Sequence, residues 1–537
     1  MNKKIYFSLY LLTVIFVCSP VLAQKSGLSP AFHKEKRKQF REKMPANSVA
    51  VFFSSPIRNR ANDVDYVYHQ DPNFYYLSGW EEPHAVLLIY KTPQTDENGS
   101  YSDKIYVRER DPYREMWNGK RKGVSGASAM GYDRVADRRL FASETHYFDT
   151  FDEVLFFNFD NDVRNFNNDT NDLYDLQQSF KAKINFPDDF NAQHYELYKQ
   201  IKNVAEENRA ELKAQIEQYV KRDERLKEDP IVQSFLEEKE RPSTERHEKV
   251  ELPLVPYNYN LSALRGIMAE LREIKTAEEV GLIKKAVRIS AQGQREVMKA
   301  LHPDMTEREV QGIHQLVFKK YGAAHEGYPS IVGAGGNACV LHYITNDKTE
   351  IDNQLILMDL GAEYQGYTAD VTRTIPVTGK FSEAQRELYE IVYASQQAGI
   401  NAAQVGADFK TITKACYDVV KKGLMDLGLI EKPEDFRRYL PHGVAHHIGL
   451  DVHDPGLYEK LAENMIITVE PGIYVPKNSP CDPKYWDIGI RIEDDVLITN
   501  EGPVTLSDEA PRAWQEIESL MAKTSALDDF ILPKIED

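Results

Sequence analysis

The residues best suited to chemistry lie in the second half of the chain. In LILMDLGAEYQGYTADVTRT (355–374), apolar residues alternate up to Asp359, a turn falls at Tyr364-Gln365-Gly366, and a second β-prone run carries Asp370. This is a β-hairpin signature. A hairpin closing between Tyr364 and Gln365 sets Asp359 and Asp370 directly opposite each other on one face, with Cβ atoms about 5 Å apart. Two carboxylates that close repel unless positive charge lies between them, and a divalent cation is the usual solution. Further along, PHGVAHHIGLDVHD (441–454) supplies His442, His446, His447 and His453. ITVEPGIY (467–474) puts Glu470 at a strand end before a Pro-Gly turn, and GIRIEDDV (489–496) offers Arg491 and Glu493 two apart on one strand face. Upstream, the apolar run VLHY ends on His342. A single His in such sequence is ordinarily structural and a single Glu solvated. Segment after segment setting His or carboxylate into strand-like apolar sequence points instead to an assembled site. Two nearby patterns do not explain it. His442-Gly-Val-Ala-His446 has Gly443 where the zinc-protease helix needs Glu, and the Gly-rich GAGGN (333–337) opens no helix that would cradle a nucleotide.

The elements around these residues form an α+β domain with a faint internal repeat. Thr276-Ala-Glu-Glu279 and Ser382-Glu-Ala-Gln385 are capping boxes that open long helices. At one constant offset Leu282 falls on Leu388, Ala286 on Val392, Ile313 on Val419 and Phe318 on Leu424. Two similar halves place a site in the cleft between them. The first half of the chain reads as a smaller α/β domain, with buried strands at Ser48–Phe53 and around residues 85–90, and a third over 104–108. REMWNGKRKG (114–123) puts Trp117 in a polar loop. Residues 192–249 are charged and helical, with Leu212, Ile216 and Val220 on one face, and read as a solvated insertion. A linker over 253–259 follows, so the expected domains span 24–258 and 259–537.

YPSIVGAGGNACVLHY, MDLGAEYQGYTADVTRT, HGVAHHIGLDVHD, TVEPGIY and GIRIEDD together resemble, in order, the motifs of the aminopeptidase P branch of the creatinase/methionine-aminopeptidase superfamily, the "pita-bread" metallopeptidases. NFYYLSGW resembles that branch's amino-terminal domain. The resemblance implies a pita-bread catalytic domain whose metal ligands are Asp359, Asp370, His446, Glu470 and Glu493. It implies that His342, His442 and His453 line the substrate cleft and that Arg491 stands beside the metals. Four carboxylates and one imidazole suit two hard or borderline divalent ions; Mn²⁺ is the first choice, and Zn²⁺ or Co²⁺ would also serve. Glu470 would move the proton, and protonated His342 and His453 would stabilise the oxyanion. Activity would fall on peptides with proline in second position, the ring packing on His342, Tyr328, His442 and Val444. In the family a tryptophan in the matching loop reaches a neighbouring subunit's active site, which implies a homo-oligomer with Trp117 touching substrate. Prolidase, acting on Xaa-Pro dipeptides, is the nearest rival. A metal-free pita-bread binding module would have eroded ligands, and all five are present. The stretch 457–464 carries none of the arginine that can occur in the family there, and Asn464 stands where Gly is common.

Composition fits an exported peptidase. With 537 residues and a formal net charge of -18, the chain can fill two cores and is unsuited to nucleic acid. Lys3 and Lys4, the apolar run 5–17 and Val21-Leu22-Ala23 form a secretory signal with cleavage expected after Ala23. The apolar run is too short to span a membrane, so a secreted or periplasmic protein, free of the membrane after cleavage, is expected. Cys339, Cys416 and Cys481 are scattered and read as buried free thiols.

Overall fold

A computed structural model of the chain describes residues 27–166, 169–188, 190–237 and 258–529. The signal expected over 1–23 and residues 238–249 of the expected insertion lie outside the described residues.

The amino-terminal half is built on a six-stranded sheet ordered Arg134–Asp137, Gly99–Val107, Val86–Asp96, Ser48–Phe53, Glu153–Leu155, Tyr259–Asn260. Val86–Asp96 runs antiparallel to both its neighbours, and the other pairings are parallel. Alternation along Ser48–Phe53 divides its side chains between two layers. Ala50 and Phe52 pack with Phe32 and Phe40 of helix Pro30–Lys43, while Val49 and Val51 pack with Leu176 and Phe180 of helix Leu173–Lys183. Tyr259–Asn260 belongs to this sheet, so the domain boundary expected between 258 and 259 falls inside a strand pairing that sequence distance hides. Trp117 is on a short helix, Pro112–Asn118, capped by Asp111, where a loop was expected. The expected solvated helix is three helices, Ala192–Asn203, Arg209–Arg222 and Pro230–Glu237, closed over a small core of their own that includes Ile201, Ile216 and Phe235.

In the second half, helices Ala277–Ala300 and Glu307–Lys320 pair, as do Glu383–Ala402 and Lys410–Asp426. Both expected capping boxes form, and a third is built by Thr306 and Glu309. The two helix pairs share one core in which Val297 and Phe318 meet Leu388, Val392 and Leu424 behind small antiparallel sheets. A second cluster fastens the amino-terminal domain to this one through Phe74, Trp80, Ile283, Val371 and Ile448. Residues Gly335–Cys339 of the Gly-rich stretch form a single 3₁₀ turn, too short for a phosphate-binding helix. Cys416 is buried, whereas Cys339 and Cys481 are only partly so; all three are unpaired.

The central hairpin closes one residue later than expected. Tyr364 pairs with Tyr367 across Gln365-Gly366, both at positive φ (55° and 83°), as a type I′ turn requires. Asp359 is therefore opposite Thr372 rather than Asp370. The shift moves its partner by two positions, which keeps the face, so the two aspartates are diagonal neighbours instead of a direct pair. Gly361 is obligatory within the hairpin, since a Cβ there would lie 1.7 Å from the Ala369 carbonyl oxygen. Asn464 has φ 69°, which explains why glycine suits that position; Asn is the side chain that next best tolerates it.

Candidate active site

Five segments bring the carboxylates and imidazoles together. Asp359 ends strand Leu355–Asp359, and Asp370 follows in the returning arm of the hairpin. His446 lies in an irregular stretch bound to strand Ile466–Val469, its N–H donating to Thr468 Oγ1 and its carbonyl accepting the Thr468 N–H. Glu470 follows that strand and is held by its N–H on the Val444 carbonyl. Glu493 sits between strands Ile488–Arg491 and Asp494–Thr499.

The ligand atoms of Asp370, His446 and Glu493 lie within 4.8 Å of one another. His446 Nε2 is 3.6 Å from Asp370 and 3.7 Å from Glu470. His446 Nδ1 contacts the His447 carbonyl at 3.0 Å. A carbonyl only accepts, so Nδ1 carries the proton and Nε2 turns its lone pair toward the carboxylates, the orientation a metal ligand needs. The Tyr328 hydroxyl stands between Asp359 and Asp370, 2.6 and 2.5 Å away, and donates to one of them at a time. Thr372 Oγ1 donates to Glu493 at 2.7 Å, and the Asp370 N–H to Asp495 at 3.0 Å. Arg491 Nη2 donates to Asp359 at 2.6 Å and Nη1 to the Tyr474 hydroxyl at 2.8 Å. Tyr474 lies 2.9 Å from His442 Nε2. His442 Nδ1 donates to the Gly443 carbonyl, so Tyr474 donates to Nε2 and an ordered chain links Asp359 through Arg491 and Tyr474 to His442.

The electrostatics of this cluster call for added positive charge. Burial, then the charges of Asp359 and Asp495, push Asp370 well above the usual carboxylate range. Burial and Glu493 do the same to Glu470, and burial and Asp370 to Glu493. Burial opposes ionisation at Asp359 as well, but Arg491 and the Tyr328 hydroxyl outweigh it and hold that group below the range. One guanidinium thus faces four carboxylates. Such a donor set, oxygen-rich with one oriented imidazole, fits divalent cations.

The cleft residues are placed unevenly. His453 packs edge-on to His446 with ring centroids 4.3 Å apart, and His342 lies close enough to act electrostatically on both His442 and His453. Burial and His342 push His453 down, and burial and Arg491 push His442 to about 4. Val444 does not line the cleft. Its side chain is fully buried in the main core, and only its carbonyl serves the site. Tyr328 has its hydroxyl committed to the two aspartates, a role beyond the apolar wall expected of it. Trp117 is 74% exposed and, with Met116 and Tyr113, stands out on a helix that buries none of its residues.

Sequence reasoning missed Thr372, Tyr474 and Asp495. Thr372 and Asp495 were within reach, each two residues beyond a named ligand. Tyr474 acts through the pairing of its strand with the one that ends at Arg491, where Gly472 faces Arg491, and a single strand does not disclose that.

Residues 281–500 match the family model for metallopeptidase family M24, and residues 33–155 match that for the aminopeptidase P N-terminal domain. The chain is 30% identical to the Xaa-Pro aminopeptidase of Escherichia coli over 92% of its own length and 98% of that protein. It is also 30% identical to the Haemophilus influenzae enzyme of the same name over 93% and 99%. The solved structure of Pseudomonas aeruginosa aminopeptidase PepP superposes with a TM-score of 0.71 at 28% identity, covering 92% of this chain and 98% of that one. A zinc-substituted E. coli aminopeptidase P in complex with product superposes with a TM-score of 0.71 at 27% identity over 92% and 99%. With both of its domains matched by family models and relatives 30% identical over almost their whole length, the chain belongs to the aminopeptidase P family of M24 metallopeptidases.

Proposed function

We propose that the protein removes the N-terminal residue from peptides whose second residue is proline, using two divalent ions held by Asp359, Asp370, His446, Glu470 and Glu493. The observation that carries this is the set of buried carboxylates facing a single guanidinium. The chemistry such ions supply when bound is acidification of water and polarisation of a carbonyl. The chain's own residues do the rest. Glu470 takes a proton from the attacking water as the C–O bond forms. It passes that proton to the proline nitrogen, a tertiary amide with no hydrogen of its own, as the C–N bond breaks. His453 and His342 offer N–H donors toward the developing oxyanion. His442, fixed through Tyr474 and Arg491, borders the proline ring.

Longer peptides are favoured over Xaa-Pro dipeptides because, among the described residues, the arginine beside the carboxylates has no donor free to pair with a proline carboxylate. Arg491 is only 4% exposed and already bound to Asp359 and Tyr474. The test is kcat/KM for an Xaa-Pro dipeptide, an Xaa-Pro-Xaa tripeptide and an Xaa-Ala-Xaa control. The tripeptide should win. A preferred dipeptide would make the protein a prolidase, and equal use of the alanine peptide would remove proline selectivity altogether.

Two further parts of the proposal rest on other features. The 1–23 pattern supports export, to be read from the N-terminus of the mature protein, which should be Gln24. The outstanding aromatic helix around Trp117 supports a homo-oligomer in which that side chain reaches a partner's cleft. Among the described residues no helix is long and apolar enough to cross a membrane.

A further inference from the structure

Where the parallel strands of the amino-terminal sheet end, three arginines and a histidine converge with too few acceptors. Arg108 follows strand Gly99–Val107 and Arg138 follows strand Arg134–Asp137. Val107 and Asp137 are register partners, and the Arg138 N–H donates to the Val107 carbonyl at 2.8 Å. Strand Val86–Asp96 runs the other way, so His84, two residues before its start, reaches the same edge. Arg121 arrives from the far end of the segment that begins at Arg108 and carries Trp117. Burial first, then all three arginines, push His84 well below its ordinary value; burial, then Arg121, push Arg108 down to about 10. The carboxyl edge of such a sheet is a usual place for a ligand.

Two carboxylates serve the cluster. Glu82 lies 3.6 Å from Arg108, and Asp169 pairs with Arg138. They leave donors over. Among the described residues Arg108 Nε and Arg138 Nη1 are buried without an acceptor, against one acceptor, Glu82 Oε2, left without a hydrogen-bond partner. Among the described residues the Arg121 guanidinium reaches only the Glu109 carbonyl, at 3.5 Å. His84 Nδ1 accepts the Leu173 N–H at 2.9 Å, so its proton is on Nε2, which has no acceptor among the described residues. Arg138 is 6% exposed and His84 3%, which excludes a polymer and leaves scale for an ion.

We propose that this edge binds a small oxyanion, held by His84, Arg108, Arg121 and Arg138. Donors that outnumber the one acceptor left among them, Glu82 Oε2, select an anion, and guanidinium forks match a tetrahedral or planar oxyanion. Because Arg108 and Arg121 bracket the segment bearing Trp117, the bound ion ties its two stems together and fixes the exposed helix.

The test uses the whole protein with inorganic phosphate as probe. Thermal unfolding is followed in potassium phosphate and in potassium chloride at matched ionic strength, with hydrogen exchange read over residues 109–120. The wild type should gain a saturable rise in Tm in phosphate and slower exchange in that segment. Arg121→Gln should match the wild type in chloride and bind phosphate at least tenfold more weakly; should it fail to fold, Arg121→Lys takes its place under the same criterion. Equal stability in the two salts, or a variant that responds to phosphate as the wild type does, would overturn the proposal.

Discussion

Thr372→Val is the sharpest probe of how the chain prepares its metal ligands. The substitution keeps the side-chain volume at a position with no exposure and removes the 2.7 Å hydrogen bond to Glu493. Arg491 Nε also loses an acceptor at 3.4 Å, a longer and weaker contact. A hydrogen bond to a charged group contributes about 1.5–3 kcal/mol, and each 1.4 kcal/mol is tenfold in an equilibrium. If the bond orders Glu493 for the cation, affinity should fall about 10- to 100-fold, the range typical of groups that support a metal ligand. The assay is calorimetric titration of apoprotein with Mn²⁺, with thermal unfolding as a check that the fold persists. Thr372→Ser restores the hydroxyl and should recover most of the affinity. Unchanged Mn²⁺ affinity in the valine variant, or a serine variant as weak as the valine one, would refute the idea that Thr372 acts through Glu493.

Three other outcomes follow from the same geometry. Glu470→Gln cannot accept a proton, so kcat should drop about 10²- to 10⁴-fold in steady-state assays while part of the metal binding survives. Asp454→Ala takes from buried Lys275 the carboxylate it bonds and leaves buried Arg272 with Asp451 and Asn73; urea unfolding should show a loss of about 3–5 kcal/mol. Burial pushes Asp454 up, but Arg272 and Lys275 outweigh it and hold it below its ordinary value. Its stabilisation is therefore full above the unfolded carboxylate range near ~4 and is lost as pH falls through the lower folded value. Trp117→Ala, on a helix with no buried residue, should leave Tm nearly unchanged and raise KM if the side chain reaches a partner's cleft; a strictly monomeric, fully active wild type in sizing and light-scattering measurements would rule that role out.

How much was legible depended on how far each signal reached along the chain. The face shared by Asp359 and Asp370 could be read because strand periodicity is local, and it survived a register error because the error was even. The exact pairing could not be read, since either placement of the turn keeps the apolar alternation and only the positive φ at Gln365 and Gly366 decides. Val444 was misassigned because an apolar residue between two site histidines looks the same whether it faces a cleft or a core. The three-helix unit after residue 192 looked like one solvated helix because Ile216 and Phe235 meet only through long-range packing. Tyr474 carries a hydroxyl whose partners, Arg491 and His442, come from two other segments.

The central claim is that two cations complete the buried cluster, and a titration of activity tests it most directly. Protein stripped by chelation is given Mn²⁺ in increments, with bound metal measured by elemental analysis and turnover measured on an Xaa-Pro tripeptide. The account predicts no turnover in stripped protein and a rise that reaches its plateau at about two bound ions per chain, as a two-metal site requires. Full turnover in metal-free protein, or a plateau at a single ion, would contradict it.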